Sequence, residues 1–457
     1  MRKHLTLVAC ILGSTIVFLD GAIVNVALPA IRRDLGGGLA LQQWVVDGYL
    51  LTLGALILVG GSLGDLFGGK RVFIVGVVSF GVTSLLCAAA WDGPSLIVAR
   101  GLQGIAGALL TPAALATITA VFSGEERGAA IGTWTAYTGI AFVVGPLAGG
   151  WFVKVASWRA IFLINPPLVV ITVVLILVAL REHRSPAKRA RVDLVGGALC
   201  AFGLAGPVFA LIEAPRRGFS DPTIVAGLAG GAALLAAFVA WELRAPAPML
   251  PLRLFRLRNF AVANLETLSV YAGLSTLLFF LTIFLQQIDG YSPLHSGAAT
   301  LPITVVMFFL SRRFGALAMR IGARPFMGFG PLLCGGACLW LLVLDPGFDY
   351  WSRLLPPILL FGVGLSMIVA PLTSTVLADA GSGDAGIASG VNNAVARVAG
   401  LLGIAVVGAA AAGSGGNLDV HGFRVAMAVT AGLVGTGGVI GLAGIRNRPI
   451  IPQPVQP

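Results

Sequence analysis

Long apolar runs alternate with short polar loops along almost the whole chain. The first run, Leu5 to Ile31, is interrupted near its middle by Asp20, set in Leu19-Asp20-Gly21-Ala22-Ile23-Val24-Asn25-Val26-Ala27-Leu28-Pro29. A bilayer-crossing helix needs about 20 apolar residues, and fourteen runs of that order are read: 5–31, 42–64, 72–91, 95–121, 128–153, 159–181, 193–213, 223–243, 259–287, 296–320, 326–344, 353–379, 386–412 and 423–445. Their internal Gly and Pro residues are ordinary in membrane helices. The pattern predicts an all-α polytopic membrane protein.

The loops orient it. With the N-terminus inside, the inner loops hold Arg2, Lys3, Lys70, Arg71, Arg127, the basic stretch 181–191, Arg244, Arg253, Arg256, Arg258, Arg320, Arg324, Arg446 and Arg448, while few bases fall outside. Positive residues favour the cytoplasmic side, so both termini are expected in the cytoplasm of a plasma membrane, and a bacterial one is expected. Trp44, Trp91, Trp151, Trp158 and Trp351 then fall at outer ends, as in an aromatic belt. Two linkers stand out: Arg181–Val192, short and basic, and Arg244–Arg258, whose prolines and spaced Leu and Arg read as an amphipathic surface segment. They divide the chain into a six-helix bundle (1–181), a linker with two extra helices (182–258), and a second six-helix bundle with a short tail (259–457).

Composition closes off other classes. The 457 residues are 57% hydrophobic and 11% charged, against about 25% charged in soluble proteins. The net charge of +11 is spread over short loops; it suits membrane lipids as partners, and no basic domain exists to hold nucleic acid. All five cysteines lie in apolar runs. Cys334 and Cys338 are one turn apart, but no His or acid near in sequence completes a metal site, and neither a metal nor a cofactor is expected. None of the four histidines falls at mid-membrane.

The two six-helix blocks echo one another. Gly61-Ser62-Leu63-Gly64-Asp65-Leu66-Phe67-Gly68-Gly69-Lys70 has a counterpart in Gly315 to Arg324, and Gly128-x-Ala130-x-Gly132 recurs as Gly386-x-Ala388-x-Gly390. Internal repeats of this kind mark transporters with a central site between halves.

Charged residues inside the runs are the candidates for function, because a charge in hydrocarbon is costly. Asp20 and Arg100 both fall in the outer halves of their helices, so Arg100 is read as partner to Asp20, with Gln103 one turn deeper; the alternative is an arginine that snorkels to the surface. Glu266 lies two turns inside the ninth run and reads as a second proton site, a substrate contact, or the partner of Arg312 or Arg313 in a charge pair. Asp47 reads as an interfacial acid rather than a proton carrier. Arg397 is expected to bond backbone or substrate. At the inner mouth, Asp65 can accept from a helix N-terminus or pair with Arg127, with Lys70 and Arg71 nearby. Gly145-Pro146-Leu147-Ala148-Gly149-Gly150 strips side chains from one helix face and permits a bend.

With these residues in view, the chain resembles the major facilitator superfamily and, within it, the fourteen-helix drug:proton antiporter branch. Leu19 to Pro29 is similar to that branch's first-helix signature, with Ala22 where Thr is frequent. Gly61 to Lys70 matches the loop signature, with Gly69 in place of the usual Arg. Arg100-Gly101-Leu102-Gln103-Gly104, Gly145 to Gly150, Trp158-Arg159-Ala160-Ile161-Phe162-Leu163-Ile164-Asn165 and Gly386-Ile387-Ala388-Ser389-Gly390-Val391-Asn392-Asn393 are further family-like blocks. The resemblance implies that the Asp65 loop latches the outward-facing state and that the Gly145–Gly150 element seals the inward-facing one. It also implies a proton-driven exporter of small amphipathic or cationic drugs, with Asp20, Asn25, Arg100, Gln103 and Glu266 as coupling or substrate residues. The alternatives are an exporter dedicated to one natural product or lipid and, in another class, a polytopic membrane enzyme, for which the short outer loops offer no catalytic cluster.

Overall fold

The computed structural model describes residues 2–180, 192–413 and 417–447. The basic stretch 181–191 and Arg448 lie outside them. Among the described residues, fourteen helices are long and apolar enough to cross a membrane: α1 (Lys3–Leu35), α2 (Gly38–Phe67), α3 (Gly69–Ala88), α4 (Gly93–Val121), α5 (Glu126–Val155), α6 (Ala160–Ala179), α7 (Leu194–Arg217), α8 (Pro222–Glu242), α9 (Arg258–Ile288), α10 (Pro293–Ile321), α11 (Arg324–Val343), α12 (Tyr350–Ala380), α13 (Asp384–Ala411) and α14 (Val420–Gly444). An even number of crossings leaves the beginning of α1 and the end of α14 at one end of the bundle, the termini end; the other is the far end.

Several helices run past their apolar runs into the loops. α2 starts four residues earlier than the hydrophobic pattern suggests, because Gly36, Gly37 and Gly38 take φ of 75°, 84° and 61°. Only glycine adopts such angles cheaply, so the chain reverses in minimal length at the far end. α4 starts on a capping box: Asp92 accepts the Ser95 backbone N–H at 2.8 Å while the Ser95 hydroxyl takes the Asp92 N–H. α5 breaks at Ile140, between Gly124–Gly139 and Ala141–Val155, and helical backbone continues from α12 into α13.

Small residues set the close approaches. A Cβ on Gly104 of α4 would collide with Thr52 and the Tyr49 carbonyl of α2, and one on Gly60 would collide with the Ala108 carbonyl. Backbone-to-backbone packing of this kind replaces the hydrophobic drive that is missing between helices in lipid. One apolar cluster, with Phe73, Phe80 and Leu110, lies within the early helices; another, with Phe279, Phe280, Phe361 and Phe423, fills the late ones and continues across to Ile23, Leu28 and Phe162 of the early ones.

The two sets meet along two seams. At one, α5 lies on α10. At the other, α2 lies on α13: Gly54 abuts Arg397 and Val398, and the Gln43 amide donates to the Ile404 carbonyl at 3.0 Å. α7 leans on this second seam, sharing a cluster with Ala55 of α2 and Leu401 and Ala405 of α13. The segment from Arg244 to Arg258 turns Met249 and Leu254 inward and keeps Arg244, Arg253, Arg256 and Arg258 exposed. Arg253 holds Asp384 through two bonds of 2.7 and 2.8 Å.

Trp158 departs from the belt expectation. It is 3% exposed and donates to Asp34 at 2.8 Å, beside Arg159, which reaches the same carboxylate at 2.6 Å. An indole N–H with a carboxylate partner ties the α5–α6 loop to α1 rather than facing headgroups.

Candidate functional site

Asp20 is wholly buried, and four elements meet around its carboxylate. Arg100 of α4 donates Nη1 to Oδ2 at 2.5 Å. Gln103, one turn along the same helix, donates to Oδ1 at 3.0 Å and accepts from Arg100 at 2.6 Å. Asn165 of α6 donates to Oδ1 at 3.2 Å, and Ser84 of α3 accepts from both Asn165 and Gln103, at 2.7 and 3.1 Å. The Arg100 Nε–H goes to the Val45 carbonyl of α2 at 3.0 Å, and its guanidinium lies 4.2 Å from the Tyr49 ring centre. Asp20 and Arg100 are 0% and 1% exposed, so Arg100 does not snorkel. A buried pair survives only when its remaining lone pairs and protons are satisfied, and the amides of Gln103 and Asn165 do that here. α1, α2, α3, α4 and α6 are thereby pinned around one carboxylate.

Sequence reasoning brought Asp20, Arg100 and Gln103 together. It missed Asn165, although that residue closes a quoted family-like block, and Ser84, which carries no sequence signal at all. Asn25 stays outside the cluster: its amide nitrogen turns back to the Gly21 carbonyl at 3.3 Å and its Oδ1 is buried without a partner.

The charge pair read for Glu266 does not form. Arg312 and Arg313 are both exposed on α10, whereas Glu266 is 0% exposed with neither carboxylate oxygen hydrogen-bonded. It sits against Gly441 of α14, where a Cβ would lie 3.0 Å from Oε2 and closer still to the Met327 carbonyl of α11. α9 turns this residue toward α11 and α14, while the α10 arginines stay exposed. Asp47 is likewise no interfacial acid: it is fully buried, and both oxygens lack a partner. Four residues after Gln43 and seven before Gly54, it shares the α2 face that meets α13.

The latch pairing is also not made. Asp65 is exposed at the termini end and accepts no hydrogen bond among the described residues. Arg127 instead donates to the Phe122 carbonyl at 3.0 Å, Lys70 caps α6 through the Leu180 carbonyl at 2.5 Å, and Arg71 is exposed beside it. The glycine–proline element does lie at a seam. A Cβ on Gly145 or Gly149 would come within 2.7 Å of Ala22 or Ile23 of α1, and one on Gly150 within 2.5 Å of the Leu294 Cα of α10. The Pro146 carbonyl occupies the space beside Gly297. This stretch of α5 therefore touches its own bundle on one face and the opposite bundle on the other.

At the far end the bundles are bonded together. Arg32 of α1 holds Gln287 of α9 and, at 2.8 Å, Asn417, and the Gln286 amide donates to the Val26 carbonyl at 3.0 Å. A polar cavity of about 800 Å³ lies around these groups.

Fourteen helices in two abutting sets, with a sequestered acid–base cluster at mid-helix, define a polytopic membrane transporter. The chain belongs to the Major Facilitator Superfamily, whose profile matches residues 10–404, and its relatives place it in the fourteen-helix drug:proton antiporter branch. It is 36% identical over 456 residues to the puromycin resistance protein pur8 of Streptomyces alboniger, covering 95% of this chain and 89% of that one. It is 36% identical to the probable actinorhodin transporter of Streptomyces coelicolor, covering 87% and 71%. Against the cephamycin export protein CmcT of Amycolatopsis lactamdurans it is 35% identical, covering 90% and 86%. Among solved structures, a peptide transporter POT in complex with sulfate superposes with a TM-score of 0.71 at 14% identity, covering 96% and 94%. A bacterial homolog of the lysosomal transporter Spinster in an inward-facing conformation gives 0.69 at 17%, covering 97% and 96%. The last two speak for the fold alone.

Proposed function

We propose that the chain exports small molecules in exchange for protons, by alternating access, with the Asp20–Arg100 cluster as the coupling device. The named relatives are resistance and export proteins, which supports an efflux role and leaves room for a substrate that is a single natural product. The observation that carries the coupling role is the fully buried Asp20 carboxylate held by Arg100, Gln103 and Asn165. A proton taken by Asp20 removes its half of the ion pair and leaves Arg100 as an unbalanced buried cation. Such a change in charge repacks the elements around it, so the helices joined at the cluster shift relative to one another. The early bundle (1–181) and the late one (259–446) then rock about the space between them, with α7 leaning on the seam. The termini end is cytoplasmic in this reading, and the bonded far end makes the conformation one that faces the cytoplasm.

The test is purified protein in proteoliposomes with an imposed pH gradient. Asp20→Asn is expected to insert and fold but to lose substrate-driven proton movement, while Asp20→Glu keeps part of it. Undiminished coupled transport in Asp20→Asn would refute the assignment.

A further inference from the structure

We infer that Arg397 is the anchor of a substrate subsite for an anionic group, so that the favoured cargo is an aromatic or amphipathic acid rather than a cation. This rests on the export reading above and names the cargo class for it.

Arg397 stands half-way along the 28-residue α13, at the seam where its Cβ faces Gly54 of α2. Sites in transporters of this build lie near mid-membrane between the two bundles. An arginine at that depth is costly, and intramembrane charges as a rule pair with one another or with backbone carbonyls. Arg397 does neither: among the described residues no carboxylate lies within salt-bridge distance and no acceptor takes any of its N–H groups. What holds it is the Phe18 ring of α1, whose centre is 5.1 Å from the guanidinium carbon. The side chain is only partly buried, so its donors face open space at the seam.

The contrast with Arg100 is informative. That guanidinium is 1% exposed and spends its donors on Asp20, Gln103 and Val45. Asp20 is consumed in the same way and offers no carboxylate to a passing cation. The accessible charge at the seam is therefore positive. A planar fork of free donors matches a carboxylate or similar oxyanion two bonds at a time. Phe18 lies against Phe142 with ring centres 5.8 Å apart and planes tilted by 56°, which supplies an apolar aromatic wall beside the charge. Asn393, four residues before Arg397 and on the same face, adds an amide to the same track.

A matched pair of xanthene dyes tests this: fluorescein, anionic at neutral pH, and rhodamine 6G, a cationic ester of similar shape. Binding to the purified protein is read by fluorescence anisotropy, and efflux is read in proteoliposomes. The wild type is expected to bind and move fluorescein in preference. Arg397→Gln is expected to weaken fluorescein binding roughly tenfold or more, the loss of a charged hydrogen-bonding partner, with little effect on rhodamine 6G. Arg397→Lys should restore part of it, and Arg397→Glu should reverse the preference. Equal or better binding of rhodamine 6G by the wild type, binding of neither dye, or equal loss of both in Arg397→Gln would each overturn the inference. Gel-filtration profiles and substrate-independent thermal unfolding separate misfolding from lost binding. Proton antiport that depends on Asp20 while dye preference ignores Arg397 sinks this subsite and leaves the export reading standing. Loss of the Asp20 dependence with an intact dye preference does the reverse.

Discussion

Arg100 and Asp20 illustrate how far single residues can be read before a structure exists. Their depth in separate apolar runs was enough to pair them, because a lone charge of either sign is too expensive to leave unanswered in hydrocarbon. The same logic failed for Glu266 and the Arg312–Arg313 pair. Rotation about the helix axis places the acid against α14 while the bases stay exposed, and no sequence spacing between different helices encodes that rotation. It also placed Asp47 at an interface, when its face of α2 belongs to the seam. The energetics of the Asp20 cluster can be checked by a mutant cycle. Arg100→Ala leaves a buried carboxylate without its counter-charge, which costs about 3–5 kcal/mol in comparable pairs, so a large drop in detergent thermal stability is expected. Asp20→Asn combined with Arg100→Ala should recover most of that stability while transport stays lost. Equal destabilisation by the single and double variants would mean that the pair is not coupled.

Element existence was written in hydrophobic length, and all fourteen spans are present, but their ends were not. Glycine turns and caps such as Gly36–Gly38 and Asp92–Ser95 extend helices beyond the apolar residues, because backbone hydrogen bonding, not hydropathy, decides where a helix stops. The Gly145–Gly150 stretch was legible as a small-residue face; that it faces two bundles at once was not, since the second contact is with α10, some 145 residues later in the sequence. Its dual packing makes it the element most sensitive to added volume. Gly150→Val places new atoms against the Leu294 backbone, which is not a flexible side chain that can swing aside. The expected result is a folded protein whose α5–α10 seam is pried open and whose efflux is abolished. Cysteine labelling at position 287, faster in this variant than in a Gly150 background, checks it; unchanged labelling with unchanged efflux would show the seam to be passive packing.

At the scale of the whole molecule, the pairing of bundles determines which end is open, and the asymmetry between the two ends lies in polar bonds. Arg32 reaches both Gln287 and Asn417, and Gln286 reaches Val26, so hydrogen bonds cross between the bundles at the far end. Asp65 at the termini end is exposed and accepts no hydrogen bond among the described residues. In a two-state transporter each such bond contributes only to the state in which it forms, and removing it shifts the population toward the other state by that amount. Arg32→Ala deletes two of these bonds from an amphipathic position without touching Asp20 or Arg397. Spin labels replacing Lys154 on the early bundle and Trp351 on the late one report the far-end separation by double electron–electron resonance. The wild type is expected to populate mainly the short distance, and Arg32→Ala to move weight to a longer one, with substrate export slowed because the closed far end must be re-formed in every cycle. A distance distribution that Arg32→Ala leaves untouched would place the closing energy elsewhere, in the α5–α10 packing rather than in this hydrogen-bonded gate.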